Sequence, residues 1–314
     1  MSRKIRIGTR GSKLALYQAE LVKSGLEKHF PETSVEIVTI KTSGDAGRSR
    51  EVDPFETKRV FTQEIEQALL RGEVELAVHS AKDLAVTLPA GLQLGAVLPR
   101  EDNRDCLLTR DGKKLAQLAA GARVGTSALR RSVQLKRMRP DLKIEDLRGN
   151  VDTRIRKLME GEYDGIVLAL AGLKRLNLTA QISEIFNPEI FYPAPGQGAI
   201  VVEFRNVDAW LVPYLAILHD PVSGRELICE RAFLRTLQGG CQLPCGIWTR
   251  KKGDVILGSA ALFAVDQPDV VGGDLEGPAD DPDGCGTRLA DALLESGGRQ
   301  ILELIRKSNF GKKE

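Results

Sequence analysis

Ile5-Arg6-Ile7-Gly8-Thr9-Arg10-Gly11-Ser12-Lys13-Leu14-Ala15 decides the fold: a short strand, a glycine-containing turn, and a serine able to cap the helix that follows. Ala15, Ala19, Val22 and Leu26 then recur on one helical face. Val35 to Thr42 reads as a second strand, Phe61 to Leu70 as a helix, and Leu76-Ala77-Val78-His79 as a short buried strand. This alternation predicts an α/β fold with a largely parallel sheet and helices on its faces.

The rhythm repeats. Val124-Gly125-Thr126-Ser127 opens a second strand-turn-helix, and Gly72-Glu73-Val74-Glu75-Leu76-Ala77-Val78 is echoed by Gly161-Glu162-Tyr163-Asp164-Gly165-Ile166-Val167. The two echoes have different offsets, so they imply two domains of similar topology rather than a tandem array. Polar, turn-rich breaks fall at Leu98–Arg104 and Tyr192–Gly198. After Asp220-Pro221 a third region is expected: a helix to about Leu237, a Gly-Gly-Cys loop, strands near 246–263 and a last helix near 286–307. Residues 265–286, rich in Pro, Gly and Asp, read as a surface loop.

Composition narrows the class. The 314 residues carry 45 Lys or Arg against 43 Asp or Glu, and 42% are hydrophobic, which fits a globular chain and excludes collagen-like or disordered ones. No apolar run reaches the roughly 18 residues of a membrane span, and the N-terminus has no long apolar stretch of a secretion signal. Five irregularly spaced cysteines (106, 229, 241, 245 and 285) fit a reducing compartment, with the cytoplasm as the expectation.

Charge is concentrated in residues 123–157, which hold 11 Lys or Arg against 4 Asp or Glu. Arg10, Arg130 with Arg131, and Arg148 fall near strand ends, where an open α/β sheet forms its ligand crevice. Arginine forks and helix N-termini both favour carboxylate or phosphate, so these residues could face one anion-filled cleft. A solvated basic face is the alternative. Nucleic acid fits less well, because the basic segment contains no Phe, Tyr or Trp to stack a base.

Two further stretches carry chemistry. Val78-His79-Ser80-Ala81-Lys82-Asp83-Leu84 puts polar residues at the end of a buried strand. There Asp83 is either a structural partner of Lys82 or a carboxylate that handles protons and faces developing positive charge. Gly239-Gly240-Cys241-Gln242-Leu243-Pro244-Cys245-Gly246 offers two thiols with only three scattered histidines, too few ligands for a zinc site. Cys241 then reads as an inert buried thiol, a nucleophile or a covalent attachment point. There is no Walker A loop and no complete dinucleotide-binding glycine motif.

Seven stretches in order carry a resemblance. They are Gly8-Thr9-Arg10-Gly11-Ser12-Lys13-Leu14-Ala15, Val78-His79-Ser80-Ala81-Lys82-Asp83, Gly125-Thr126-Ser127-Ala128-Leu129-Arg130-Arg131, Leu147-Arg148-Gly149-Asn150-Val151-Asp152-Thr153-Arg154, Ala171-Gly172-Leu173-Lys174-Arg175-Leu176, Pro195-Gly196-Gln197-Gly198-Ala199 and Gly239-Gly240-Cys241-Gln242-Leu243-Pro244. Over about residues 4–306 the chain resembles the porphobilinogen deaminase (hydroxymethylbilane synthase) family.

The resemblance implies two domains like type II periplasmic binding proteins flanking a cleft, plus a smaller α+β C-terminal domain with the cofactor cysteine. The boundaries it implies are 1–98 with 199–219, 104–193, and 220–314. It implies a transferase that condenses four porphobilinogen molecules head to tail onto a dipyrromethane primer, releasing ammonia at each step and hydroxymethylbilane at the end. By motif position the primer is bound to Cys241, one per chain, and Asp83 is the catalytic carboxylate. Lys82, Thr126, Ser127, Arg130 and Arg131 would hold the cofactor. Arg10, Ser12, Lys58, Arg148, Gly149, Asn150, Arg154, Arg175 and Gln197 would hold the substrate and growing chain. No metal, nucleic acid or membrane is implied, and a monomer is expected. A non-catalytic anion-binding protein of the same two-domain type would have no use for the Cys241 loop. The chain departs from the family in Thr57-Lys58-Arg59-Val60-Phe61, where a Lys-Gly-Leu-Phe run is usual, and in Ala128, where Ser is usual. Cys245 is an extra thiol that could pair with Cys241 in oxidised apoprotein.

Overall fold

The computed structural model describes residues 4–43, 62–240, 243–265 and 267–310. Strand β1 (Lys4–Thr9) runs into α1 (Lys13–His29), whose N-cap Ser12 accepts a hydrogen bond from the Ala15 amide at 3.3 Å. Gln18, Ala19, Val22 and Leu26 form the buried stripe of α1, and Lys28 and His29 sit at its negative dipole end. Next come β2 (Ser34–Thr39), α2 (Gln63–Leu70), β3 (Leu76–Ser80) and β4 (Leu92–Val97). The chain then builds β5 (Asp105–Thr109), β6 (Arg123–Gly125), α3 (Leu129–Met138), β7 (Lys143–Glu145), α4 (Val151–Met159), β8 (Gly165–Ala169), α5 (Leu170–Arg175) and β9 (Glu184–Ile185). It returns as β10 (Ile200–Arg205), α6 (Val212–Ala216) and α7 (Pro221–Thr236). It ends with β11 (Cys245–Lys252), β12 (Val255–Phe263), β13 (Val270–Pro278), α8 (Pro282–Leu293) and α9 (Arg299–Phe310).

Two five-stranded sheets result, ordered β2-β1-β3-β10-β4 and β7-β6-β8-β5-β9. Each is mixed: β10 runs against β3 and β4 in the first, and β5 against β8 and β9 in the second. The echoed sequence pairs occupy equivalent places, with β1 matching β6 and β3 matching β8. Because β10 lies inside the first sheet, the chain crosses between the sheets twice, near residues 98–104 and 193–199.

Both crossings converge on Glu230 of α7, which is fully buried. Arg100 donates from both terminal nitrogens to its two oxygens at 2.8 Å each. The Gly196 amide and the Thr249 hydroxyl donate to the same carboxylate at 2.6 and 2.7 Å. One carboxylate thus joins both crossings to α7 and β11. Gly196 and Gly198 have φ of +76° and +86°, and a Cβ at Gly198 would lie 2.3 Å from the Glu101 carbonyl oxygen. Side chains are excluded there on both counts.

The third unit corrects two expectations. Residues 265–286 are not one loop, because Val270–Pro278 pair with β12 along their whole length. The Gly- and Asp-rich composition of β13 conceals this. Its side chains alternate between exposed and half-buried, so an edge strand needed no apolar run. The last helix is two, since the backbone leaves the helical conformation at Ser296 and Gly297, the latter with φ +111°. Phe233, Leu234, Ile247, Leu262, Leu289 and Leu293 lie in the core between this sheet and its helices.

Candidate active site

Strand β3 is buried along Leu76–His79 and ends in a single 3-10 turn, Ala81–Asp83. The Gln18 side-chain amide fixes its end by donating to Ser80 Oγ at 2.9 Å. The turn presents Lys82 and Asp83, both half-buried. Lys82 Nζ donates to Gln197 Oε1 at 3.3 Å. Gln197, fully buried on the returning crossing, donates from Nε2 to the Asn103 carbonyl at 2.7 Å and to Asp105 Oδ1 at 3.0 Å. Asp105 opens β5 and is also fully buried. Arg130 Nη1 donates to its Oδ2 at 2.7 Å, and Arg131 donates to its Oδ1 from Nε at 3.0 Å and Nη2 at 2.7 Å. A continuous polar chain therefore runs from the turn of the first sheet to the basic helix of the second.

The cations of this chain oppose one another. Burial, reinforced by Arg131 and Arg130, pulls the Lys82 ammonium down to about 8, although Asp83 and Asp105 resist. Burial and the charge of Arg131 lower Arg154 to about 10, against Asp83 and Asp146. Burial and Arg131 likewise lower Arg130, with Asp105 opposing. Burial alone would raise the Asp105 carboxyl, but the Arg130 and Arg131 charges outweigh it and hold the group well below the ordinary carboxylate range. Four cations, Lys82, Arg130, Arg131 and Arg154, thus lie within charge reach of three carboxylates among the described residues, Asp83, Asp105 and Asp146. Such a surplus of partly desolvated positive charge is stabilised by a polyanionic ligand.

The other residues expected at the site are distributed differently. Arg154 also donates from Nε to the Gly149 carbonyl at 2.7 Å, and Gly149 has φ +113°. Asn150 caps α4 by position, without a side-chain hydrogen bond. Arg148 is exposed and bonds Asp146 at 2.7 Å, in the loop beyond β7 rather than at the end of a strand. Thr126 is buried and accepts from the Ala128 amide at 3.2 Å, while Ser127 donates to the Leu147 carbonyl at 3.0 Å. Ala128 sits at the N-cap of α3, where it has no hydroxyl to offer. Arg175 is buried and donates to the Gly198 carbonyl at 2.6 Å, which ties α5 to the returning crossing. Ser12 caps α1, and Arg10 is half-buried just beyond β1. Cys245 is buried on β11, within charge reach of Arg130. Thr57–Phe61 with Lys58, and Cys241, lie outside the described residues.

Sequence reasoning missed Asp105 and Glu230. Asp105 carried a usable signal: a lone acid heading the apolar Cys106-Leu107-Leu108 strand requires cations if that strand is buried. Glu230 carried one too: Leu227, Phe233 and Leu234 stand three or four positions from it, which puts an acid on the apolar face of the helix.

Comparison with known proteins follows the same outline. Residues 5–212 match the family domain described as "Porphobilinogen deaminase, dipyromethane cofactor binding domain", and residues 225–295 match "Porphobilinogen deaminase, C-terminal domain". The chain is 47% identical over 302 residues to the porphobilinogen deaminase of Roseiflexus sp. (strain RS-1), covering 96% of this chain and 99% of that one. It is 44% identical over 303 residues to that of Maridesulfovibrio salexigens, covering 96% and 98%.

Proposed function

This chain belongs to the porphobilinogen deaminase family, transferases of tetrapyrrole biosynthesis that bear a dipyrromethane cofactor and act on porphobilinogen, and we propose how its residues divide that work. The reaction joins four porphobilinogen molecules head to tail, loses ammonia at each addition and ends in hydrolytic release of hydroxymethylbilane. The surplus of buried positive charge beside Asp83 carries the reading.

The residues fit the cofactor, because its carboxylates would relieve the mutual repulsion of Lys82, Arg130, Arg131 and Arg154. Arg130 and Arg131 already share Asp105, so they act by charge and by what their remaining N–H groups reach. When bound, the cofactor would supply the nucleophilic pyrrole carbon for the first addition. Asp83 faces the positive charge left on the substrate methylene as ammonia departs, and it takes up the proton lost from the pyrrole. Arg154, Arg10, Lys58 and Arg148 receive acetate and propionate groups of the growing chain, with Ser12, Thr126, Ser127, Gly149 and Asn150 adding hydrogen bonds. Arg175 and Gln197 serve the substrate through the returning crossing. Cys241 is the covalent anchor. Residues 1–98 with 199–219 form the first domain, 104–193 the second and 220–314 the third, in a cytoplasmic monomer.

Intact mass under denaturing conditions tests the anchor. The purified chain should exceed its sequence mass by two condensed pyrrole units. Cys241→Ser should lack the increment after incubation with porphobilinogen, and Cys245→Ser should keep it. Loss of the increment in Cys245→Ser alone would move the anchor to Cys245.

Lys82 gives the site a pH dependence. An ordinary lysine titrates near 10.5, whereas Lys82 gives up its proton at about 8. It is therefore a cation below that pH and neutral above it, so carboxylate binding to apoprotein should weaken on the alkaline side. Cofactor loading of apoprotein is expected to slow as pH rises through about 8. Lys82→Arg, charged throughout, should lose that inflection. A parent profile that stays flat between about 7 and 9 would dismiss Lys82 as a carboxylate-binding cation.

A further inference from the structure

The Asp83 turn is held from behind by α7. Ala81 and Leu84 pack in one apolar cluster with Leu227 of that helix. One helical turn further on, Arg231 Nη2 donates to the Ala85 carbonyl at 2.9 Å and to the Val86 carbonyl at 2.6 Å. Val86 itself packs against the core of the third unit, the cluster to which Phe233 and Leu234 of α7 belong. Leu227 and Arg231 are four residues apart on one face, so α7 grips the two sides of the segment that presents Asp83.

The grip has its own counter-charge. Burial lowers the Arg231 guanidinium, and the Glu203 carboxylate on β10 opposes that shift. Glu203 is fully buried and lies 3.3 Å from His79 Nε2 on β3. Arg235, the next turn of α7, is the other cation acting on Arg231, and it is engaged by Asp283 at 2.7 Å. Arg231 thus lies within charge reach of one buried carboxylate, Glu203, and of one cation, Arg235, that Asp283 already engages.

We propose that Arg231 is a positioning residue for Asp83: by clasping the carbonyls of Ala85 and Val86 it sets where the carboxylate stands relative to α7. The proposal rests on the catalytic role assigned to Asp83 above. Its physical content is that a small displacement of a reacting group lowers turnover steeply, while the cations carried by α3 and α4, Arg130, Arg131 and Arg154, stay in place.

A double-mutant cycle on cofactor-loaded enzyme tests it, with loading read by intact mass. Arg231→Met should load the cofactor and keep KM for porphobilinogen within about threefold, while kcat falls by about tenfold to a hundredfold. In the Asp83→Asn background, the same substitution should change the rate of the first porphobilinogen addition by less than about twofold, because the group it positions is already gone. If Arg231→Met does not load, Arg231→Lys takes its place in the cycle, since it keeps the charge opposite Glu203. An equal loss in both backgrounds, a wild-type kcat in Arg231→Met, or failure of both variants to load would each overturn the proposal. Asp83→Asn turning over normally while Arg231→Met is slow would instead remove Asp83 from the chemistry. That is distinct from a normal Arg231→Met beside an inactive Asp83→Asn.

Discussion

Asp83→Asn is expected to lower turnover by about 10²–10⁴-fold while leaving the cofactor attached and KM for porphobilinogen no higher than in the parent. Asparagine matches aspartate in size, so the turn held by Gln18 and Arg231 should persist. What is lost is one negative charge beside Lys82 and Arg154, both of which Asp83 supports as cations. Two consequences separate this from simple damage. The cleft becomes more positive, so binding of a polycarboxylate should hold or tighten. The positive charge that develops as ammonia leaves loses the carboxylate proposed to face it, and Asp105 is already engaged by two arginines. Steady-state kcat and KM, with intact mass to establish loading, measure both. A kcat within about tenfold of the parent would take Asp83 out of the chemical step.

Local features of this chain were readable from its residues. The capped helix after β1, the buried strand ending in Lys82-Asp83, and the matching of β1 with β6 follow from periodicity and turn residues that act over a few positions. The partners of the site were not readable in the same way. Asp105 meets Arg130 across 25 positions, Gln197 meets Asp105 across 92, and Lys82 meets Gln197 across 115. Such contacts exist because β10 is inserted into the first sheet, which brings the returning crossing back under the Asp83 turn. No window of sequence contains that information. The basic run at 123–157 illustrates the limit: it pointed to a cleft full of anions, yet two of its arginines spend their strongest bonds on an aspartate of the protein itself. Strand β13 was missed for the opposite reason, since its pairing with β12 overrides a composition that disfavours strands.

Asp105→Asn should be the most destabilising single change at the site, by about 3–5 kcal/mol near neutral pH. The substitution keeps shape and some hydrogen-bonding capacity but leaves the buried Arg130 and Arg131 without their shared counter-ion. The Tyr192 and Val167 carbonyls that these arginines also reach carry no net charge and cannot replace it. Glu230 offers a useful contrast, because its partner Arg100 has Glu226 in reserve at 3.4 Å. The pH dependence fixes the sign. The Asp105 carboxyl lies below the ordinary range in the folded chain, so its contribution is complete above the unfolded value of about 4 and is lost as pH falls below it. The gap in stability between parent and variant should therefore be full at neutral pH and shrink in acid. Lys82 should respond as well. Asp105 is one of the two anions sustaining its charge, so the alkaline fall in cofactor loading should move below about 8 in the variant. Urea unfolding at several pH values and loading profiles of the refolded apoprotein would measure both effects. Equal stability of parent and variant at neutral pH would mean that the arginine pair is accommodated without Asp105.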